Sequence, residues 1–185
     1  MKPSIDALIA TAEKMKASSL GAVLTQTVEK TVASVKAGGK ILVAGNGGSA
    51  AEAQHFAAEL VGRYLKERRA LPALALTTDT SILTALGNDY TFDIVFARQI
   101  EALGRSGDVL FVFSTSGNSR DIISAVAQAK KQGLLTVSFL GGTGGKLAGT
   151  CDLEFIVPST ETPRIQEMHL LLVHSISEAL ENALA

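Results

Sequence analysis

Two apolar, strand-like segments of this chain each lead directly into a loop rich in glycine and hydroxyl groups, and each loop opens a helical pattern. Ile41–Ala44 lead into Gly45-Asn46-Gly47-Gly48-Ser49, and Val109–Phe113 lead into Ser114-Thr115-Ser116-Gly117-Asn118-Ser119. A strand, a tight loop and a helix, occurring twice, are typical of an α/β fold with a parallel sheet. Free backbone N–H groups and the positive end of a helix dipole gather where each helix begins, so both loops favour an anion.

The residue types in these loops narrow the kind of anion. Neither loop carries the lysine of a nucleotide P-loop, and the first loop lacks the G-x-G-x-x-G spacing of a dinucleotide-binding fold. Glycine allows the backbone to approach a ligand closely, and serine and threonine hydroxyls add donors without bulk. The loops therefore predict a phosphorylated metabolite rather than ATP or NAD. The alternative is a pair of tight turns that bind no ligand.

Strand and helix patterns alternate along most of the chain. Apolar runs predict strands at 40–44, 73–76, 108–113, 134–140 and 153–157, and helical periodicity predicts helices at 49–64, 80–86, 92–103, 119–132 and 163–184. Nearly continuous apolar strands suit a sheet that is covered on both faces. We therefore predict a three-layer α/β/α sandwich with a central, mostly parallel five-stranded sheet. Ligands bind beyond the carboxyl ends of such strands, so one phosphate would touch both loops.

The residues up to Lys36 show helical periodicity alone, and Ala37-Gly38-Gly39 ends the second helix. We predict a single domain over 1–185, with a helical oligomerisation segment at 1–37 and an α/β core at 38–185. The N-terminal helices contain too few residues to form a core of their own. Their apolar faces pack either on the sheet of the same chain or on another subunit, and we favour the oligomer.

The composition argues against several functional classes. Hydrophobic residues make up 46% and charged residues 19% of the chain, which is typical of a globular protein. A net charge of −1 provides no basic surface for nucleic acid or for an anionic membrane. No apolar stretch approaches the roughly 20 residues of a membrane helix. Cys151 is the only cysteine, and the first residues lack the apolar segment of a secretory signal, so we expect a cytoplasmic protein.

Two pairs of side chains are candidates for proton transfer or metal binding. His55 and Glu59 are four residues apart on the helix that follows the first loop, so they share one face. Gln166 and His174 are eight residues apart on one broad side of the closing helix. Such groups suit acid–base chemistry or metal ligation, although the same spacing is common in surface pairs. Periodicity leaves open whether His174 or His169 is the functional histidine.

Two further polar segments follow apolar elements. Asn88-Asp89, after Gly87, predicts a helix end followed by a turn. The glycine-rich run at 141–146 follows a strand, and either it approaches a ligand or it is a flexible connection.

These segments resemble the sugar isomerase (SIS) domain family and, within it, the phosphoheptose isomerases. The resemblance covers essentially the whole chain. The two loops are shared by many SIS proteins, whereas the combination of His55, Glu59, Gln166 and His174 is more specific. The matching segments are Ala44–Ala51, Gln54–Leu60, Leu86–Asp89, Ser114–Ser119, and Arg164–His169 leading to His174.

The resemblance implies conversion of sedoheptulose 7-phosphate to D-glycero-D-manno-heptose 7-phosphate, which opens the bacterial route to nucleotide-activated heptoses of lipopolysaccharide cores. An aldose–ketose shift moves a proton between adjacent carbons through an enediol, and this requires a base and an acid. By the same resemblance, Glu59 is the base at the substrate carbon and His174 is the opposing acid/base. The implied substrate-binding residues are Asn46, Gly47, Gly48, Ser49, Arg63, Asn88, Asp89, Ser114, Thr115, Ser116, Ser119 and Gln166.

The resemblance also implies a cofactor and an assembly. Some relatives hold a divalent metal, zinc, at positions that match His55, Glu59, Gln166 and His174, and the family's active site lies between subunits of a homotetramer. Two other functions stay open: a non-catalytic relative that binds the replication initiator, and a SIS domain that only senses a sugar phosphate. The initiator-binding relative departs from the isomerase pattern at Glu59 and His174, both retained here, so the enzyme is favoured.

Overall fold

The computed structural model describes residues 1–185 and contains one five-stranded sheet. Its strands are β1 Ile41–Gly45, β2 Ala73–Ala75, β3 Val109–Ser114, β4 Leu135–Gly141 and β5 Leu153–Val157. They lie in the order β2-β1-β3-β4-β5, and every neighbouring pair is parallel. The predicted α/β class with a parallel sheet is therefore confirmed.

Seven α-helices surround this sheet, and two short 3₁₀ helices lie at Phe92–Ile94 and Gly145–Leu147. The α-helices are α1 Lys2–Lys16, α2 Leu20–Lys36, α3 Gly48–Val61, α4 Thr80–Asp89, α5 Val95–Leu103, α6 Arg120–Lys131 and α7 Thr162–Leu184. None of them is both long and apolar enough to cross a membrane.

The strands are mostly apolar because both faces of the sheet are covered. Successive strand residues point to opposite faces. Ile41 and Val43 of β1 belong to the core that the sheet forms with α3, α7 and the N-terminal helices. Leu42 and Ala44 belong to the core on the other face, with α5 and α6. The three layers are those expected from the alternation of strand and helix patterns.

Two helix ends differ from the sequence prediction by more than the usual one or two residues. Helix α3 ends at Val61 rather than at 64, because Gly62 follows, and glycine favours the end of a helix. Helix α4 continues to Asp89, so Asn88 and Asp89 lie in its last turn and not in the predicted turn.

The N-terminal helices pack partly on their own chain. Met15 of α1 and Val35 of α2 are buried in the core that also contains α7. Ile5 and Ile9, one turn apart on α1, remain 47% and 52% exposed. Intrachain packing therefore covers one face of these helices and leaves an apolar pair of side chains uncovered on α1.

Candidate functional site

The two hydroxyl-rich loops lie side by side at the carboxyl edge of the sheet. Strands β1 and β3 are neighbours, and Gly45 is in register with Phe113, so the chain leaves both strands at the same level. Ser49 and Ser114 are each only 4% exposed. The Ser114 Oγ lies 3.3 Å from the Ser119 Oγ, which keeps the hydroxyl groups of the second loop together. The structure thus brings the two predicted anion-binding loops to one place.

Glycine is required in the first loop by its backbone and by a neighbour from α7. Gly47 has a φ of +56°, in the left-handed region that side chains disfavour. A Cβ atom at Gly48 would clash with the side-chain amide of Gln166. Gln166 therefore lies directly against the first loop, as a substrate-orienting side chain would.

The glycine-rich run at 141–146 packs against the second loop and is not a loose connection. A side chain at Gly117 would clash with the carbonyl oxygen of Gly144. The Asn118 Oδ1 accepts a hydrogen bond of 3.1 Å from the Lys146 backbone N–H. The carboxyl edge of the sheet therefore presents three packed loops rather than two.

A second group of functional side chains lies between α3 and α7. The His55 Nε2 is 2.9 Å from the His174 Nε2 and 3.3 Å from the Glu59 Oε1. One ligand atom from each of these three residues lies within 4.8 Å of the other two. Two imidazole nitrogens at such a distance share one proton or face one cation. Because all three residues belong to one chain, the cluster forms without a second subunit.

The structure distinguishes the two histidines of α7. His169 is fully buried, and its Nε2 lies 3.1 Å from the carbonyl oxygen of Leu140. Its ring packs beside Phe113 and Phe139. His174 alone faces His55, so His169 has a packing role and His174 belongs to the cluster.

A cavity with a volume of about 770 Å³ opens beside the second loop. It is lined mainly by polar residues, among them Thr115 and Ser116, together with parts of the glycine-rich run and of α1 and the start of α7. This volume lies within the range of small-molecule sites, about 300–1,000 Å³. His55, Glu59 and His174 do not line the cavity, so within one chain the cavity reaches the second loop but not the cluster.

Comparisons with known proteins identify the family. Residues 5–141 match the model of the SIS domain family. The phosphoheptose isomerase of Geobacter metallireducens is 58% identical over 153 residues, which cover 83% of this chain and 81% of the relative. The chain belongs to the phosphoheptose isomerase family. It is therefore an aldose–ketose isomerase that acts on a sugar phosphate.

Solved structures of phosphoheptose isomerases share this fold over nearly their whole length. The enzyme from Neisseria gonorrhoeae superposes with a TM-score of 0.92 at 43% identity, over 98% of this chain and 96% of that one. The enzyme from Francisella tularensis superposes with a TM-score of 0.94 at 38% identity, with the same coverage.

Three predicted substrate-binding residues make no hydrogen bond to the loops or to the cluster in a single chain. The sequence places Arg63 on a further turn of α3, but that helix ends at Val61. The Arg63 side chain is 59% exposed and lies 3.8 Å from Glu67. The Asn88 amide donates a hydrogen bond of 2.9 Å to Asp89, and both residues are exposed. None of the three hydrogen-bonds to either loop.

Sequence reasoning missed the carboxylate that holds the chain after α3. Glu181 is 1% exposed and accepts hydrogen bonds of 2.7–3.0 Å from the backbone N–H groups of Tyr64, Leu65 and Lys66. The Arg68 Nε lies 3.4 Å away. Burial disfavours the charged carboxylate, but these N–H donors and the guanidinium outweigh burial and hold the pKa of Glu181 below its usual value. No sequence spacing signals this contact, because the partners are more than 100 residues apart.

The segment held by Glu181 contacts the cluster through Tyr64 and Arg68. The Tyr64 ring centroid lies 5.6 Å from that of His174, and the rings are inclined by 30°. An Arg68 guanidinium nitrogen donates a hydrogen bond of 2.8 Å to the carbonyl oxygen of Glu59. Glu181 thus positions both the Tyr64 ring beside His174 and the Arg68 guanidinium at the end of α3.

We expect Glu181→Gln to lower the thermal midpoint of unfolding at neutral pH and to lose that effect in acid. The pKa of Glu181 is lowered by folding, so its stabilising contribution is complete above the unfolded value of 4.5 and disappears as the pH falls through the lower folded value. Thermal unfolding of the variant and the parent across this pH range measures the difference. Glu178→Gln, on an exposed position of the same helix, is the matched control. A difference in midpoint that is constant with pH would contradict the assignment.

A second residue that sequence reasoning missed is Asp121, in the first turn of α6. Its side chain is 4% exposed, and its Oδ2 accepts a hydrogen bond of 2.8 Å from the Asn46 Nδ2. Burial raises the pKa of the Asp121 carboxyl, and the hydrogen bond from Asn46 opposes that rise without cancelling it. In the sequence, an acidic residue in a first helical turn indicates only a favourable dipole interaction.

Proposed function

We propose that this phosphoheptose isomerase converts sedoheptulose 7-phosphate into D-glycero-D-manno-heptose 7-phosphate, the first step in making nucleotide-activated heptoses for bacterial lipopolysaccharide cores. The observation that carries the proposal is the cluster of His55, Glu59 and His174. These side chains provide a carboxylate and two imidazoles within 4.8 Å, on the helix that the first anion-binding loop opens and on the helix that packs against it.

The phosphate is held at the start of two helices. Backbone N–H groups of α3 and α6 and the hydroxyl groups of both loops point to the carboxyl edge of the sheet, where the helix dipoles favour negative charge. The hydroxyl donors are Ser49, Ser114, Thr115, Ser116 and Ser119, and the donors that orient the sugar are Asn46 and Gln166, with Gly47 and Gly48 giving close backbone approach.

Proton transfer follows from the chemistry of the ketose and the aldose. Glu59 removes a proton from C1 of the ketose, and an enediol forms as the carbonyl oxygen at C2 is protonated. Glu59 then returns the proton to C2, and the hydroxyl group at C1 loses its proton to give the aldehyde. His174 supplies and accepts the oxygen-bound protons. A positioned acid and base of this kind contribute about 10²–10⁴-fold in rate each.

The donor set of the cluster fits a zinc ion. Zinc binds imidazole nitrogen and carboxylate oxygen at about 2.0–2.2 Å, so tetrahedral ligand atoms lie about 3.3 Å apart. The separations of 2.9 Å and 3.3 Å among His55, His174 and Glu59 are close to this value. Gln166 is the fourth ligand that the family pattern implies. A bound zinc would polarise the substrate carbonyl and stabilise the enediolate.

We also propose that the enzyme is a homotetramer with sites between subunits. Ile5 and Ile9 expose an apolar pair on α1, and Leu171 is 50% exposed on α7. The second observation is that Arg63, Asn88 and Asp89 are exposed and make no hydrogen bond to the loops of their own chain, so a neighbouring subunit would use them. On this proposal the segment 1–37 serves assembly, and 38–185 forms the α/β core.

Light scattering at micromolar protein concentration should give a mass close to four chains of 19.3 kDa. Ile5→Glu combined with Ile9→Glu should shift the mass towards smaller species, because each carboxylate would be desolvated in an apolar interface. The matched control is Glu13→Gln, an exposed position on the same helix. A stable monomer for the unmodified protein would contradict the tetramer and the shared site.

A cytoplasmic location is consistent with the proposed substrate and with the single thiol. Burial raises the pKa of Cys151, so the thiol stays protonated and unreactive at neutral pH.

The proposed function is tested by incubating protein of known metal content with sedoheptulose 7-phosphate and identifying the products by NMR. Formation of the aldose heptose 7-phosphate, at a rate that scales with enzyme concentration, is the expected result. If no aldose forms with or without added zinc, the proposed reaction is wrong, and binding of the replication initiator or sensing of a sugar phosphate becomes the better explanation.

A further inference from the structure

One hydrogen bond joins the side chains of the two halves of the anion site. It runs from the Asn46 Nδ2, in the first loop, to the Asp121 Oδ2, in the helix that the second loop opens, at 2.8 Å. The carbonyl oxygen of Asn46 also accepts a hydrogen bond of 2.9 Å from the Ser49 backbone N–H. A displacement of Asn46 would therefore move the turn that presents Ser49.

Asp121 is placed to act as the fixed end of this hydrogen bond. It is 4% exposed and lies in the first turn of α6, two residues after Ser119. A buried side chain held by a hydrogen bond has one defined position, and the place of Asp121 in the first turn of α6 ties that position to the second loop.

We propose that Asp121 is a positioning residue that holds the first loop, through Asn46, at the separation from the second loop that one phosphate group requires. This inference rests on the proposed function, since it assigns Asp121 a part in holding the phosphate of that substrate. Asp121 itself does not contact the substrate. A buried carboxylate beside a phosphate would weaken phosphate binding by repulsion, so its presence is explained by the geometry that it maintains and not by direct contact.

The inference predicts different results for two substitutions of the same residue. Asp121→Ala removes the acceptor of the hydrogen bond from Asn46, so the first loop is no longer held to α6. KM for the sugar phosphate should therefore rise about 10-fold. Asp121→Asn keeps an acceptor oxygen at nearly the same place and removes the charge. It should therefore keep KM within about 3-fold of the parent value, and its affinity for inorganic phosphate should be equal or higher.

A double-mutant cycle with Asn46→Ala tests whether Asp121 acts through Asn46. Affinity for inorganic phosphate, measured by calorimetry, is one readout, and KM and kcat with sedoheptulose 7-phosphate are the second. Asn46→Ala alone should weaken phosphate binding, and adding Asp121→Ala should change it by less than about 2-fold, because the interaction is already lost. Asp152→Ala is the control, since this carboxylate also bonds a neighbouring side chain, Thr136, but lies at the opposite edge of the sheet.

The outcomes separate this inference from the proposed function. If the unmodified enzyme isomerises the sugar phosphate and the two alanine substitutions weaken phosphate binding additively, Asp121 does not act through Asn46 and the inference is wrong. It is equally overturned if Asp121→Asn loses as much affinity as Asp121→Ala. If the unmodified enzyme binds phosphate without isomerising the sugar, the proposed function fails. The double-mutant cycle, measured by affinity for inorganic phosphate, still decides the role of Asp121. Should Asp121→Ala not fold, Asp121→Ser replaces it, because serine can begin a helix but is too short to reach Asn46.

Discussion

Glu59→Gln is expected to reduce turnover of sedoheptulose 7-phosphate by about 10²–10⁴-fold, the usual contribution of a general base. Glutamine has the shape of glutamate and can hydrogen-bond, but it cannot remove a proton from carbon. Since the two loops proposed to hold the phosphate are unchanged, KM should stay within a few-fold of the parent value. Steady-state kinetics on variant and parent enzyme measure both parameters.

Metal content has to be determined for each variant, because Glu59 lies 3.3 Å from His55 and belongs to the proposed zinc-ligand set. Loss of turnover with zinc content unchanged assigns the effect to proton transfer. If turnover and zinc content both fall and excess zinc restores them, the effect of the substitution is assigned to metal binding. Glu101→Gln, an exposed carboxylate on α5, serves as the control and should retain parental activity. Near-parental turnover by Glu59→Gln would exclude Glu59 as the base.

The fold could be predicted because its determinants are local and repeated. The strands of the sheet are mostly apolar, and every strand except β4 is followed by a loop with glycine or hydroxyl residues and by an α-helix. The pairing of β1 with β3 then places the first and second loops together, as the topology of doubly wound sheets requires. The spacing of His55 and Glu59 was sufficient to put them on one face, because four residues make about one helical turn.

The hydrogen bonds that hold the site in place could not be predicted, because they join segments that are distant in sequence. Glu181 and the Tyr64 N–H are 117 positions apart, and Asn46 and Asp121 are 75 apart. Nothing in either segment indicates its partner. The predicted extension of α3 to residue 64, which would carry Arg63, was wrong for a local reason: the backbone leaves the helix at Gly62. Periodicity could not distinguish His169 from His174, since both lie on α7; the family resemblance selected His174, and the structure places it 2.9 Å from His55.

We expect His174→Gln to lower kcat by about 10²–10⁴-fold, with an effect on partial reactions that differs from that of Glu59→Gln. In the proposed mechanism, His174 moves protons on the substrate oxygens, whereas Glu59 removes the proton from carbon. In deuterated water, His174→Gln should therefore retain more exchange of deuterium into recovered ketose, relative to its isomerisation rate, than Glu59→Gln does. NMR of the recovered sugar measures exchange and isomerisation in one sample.

The control for this substitution is His169→Gln, five residues earlier on the same helix. His169 is fully buried and bonded to the carbonyl oxygen of Leu140, so its replacement should lower the thermal midpoint. At temperatures well below that midpoint, its kcat should stay near the parental value, because its ring does not reach His55 or Glu59. If His169→Gln loses as much turnover as His174→Gln while still folded, the assignment of the two histidines is reversed. If His174→Gln isomerises normally with its zinc content intact, the oxygen-bound protons must be transferred by another group, and the adjacent His55, 2.9 Å away, is the group that the geometry then places in that role.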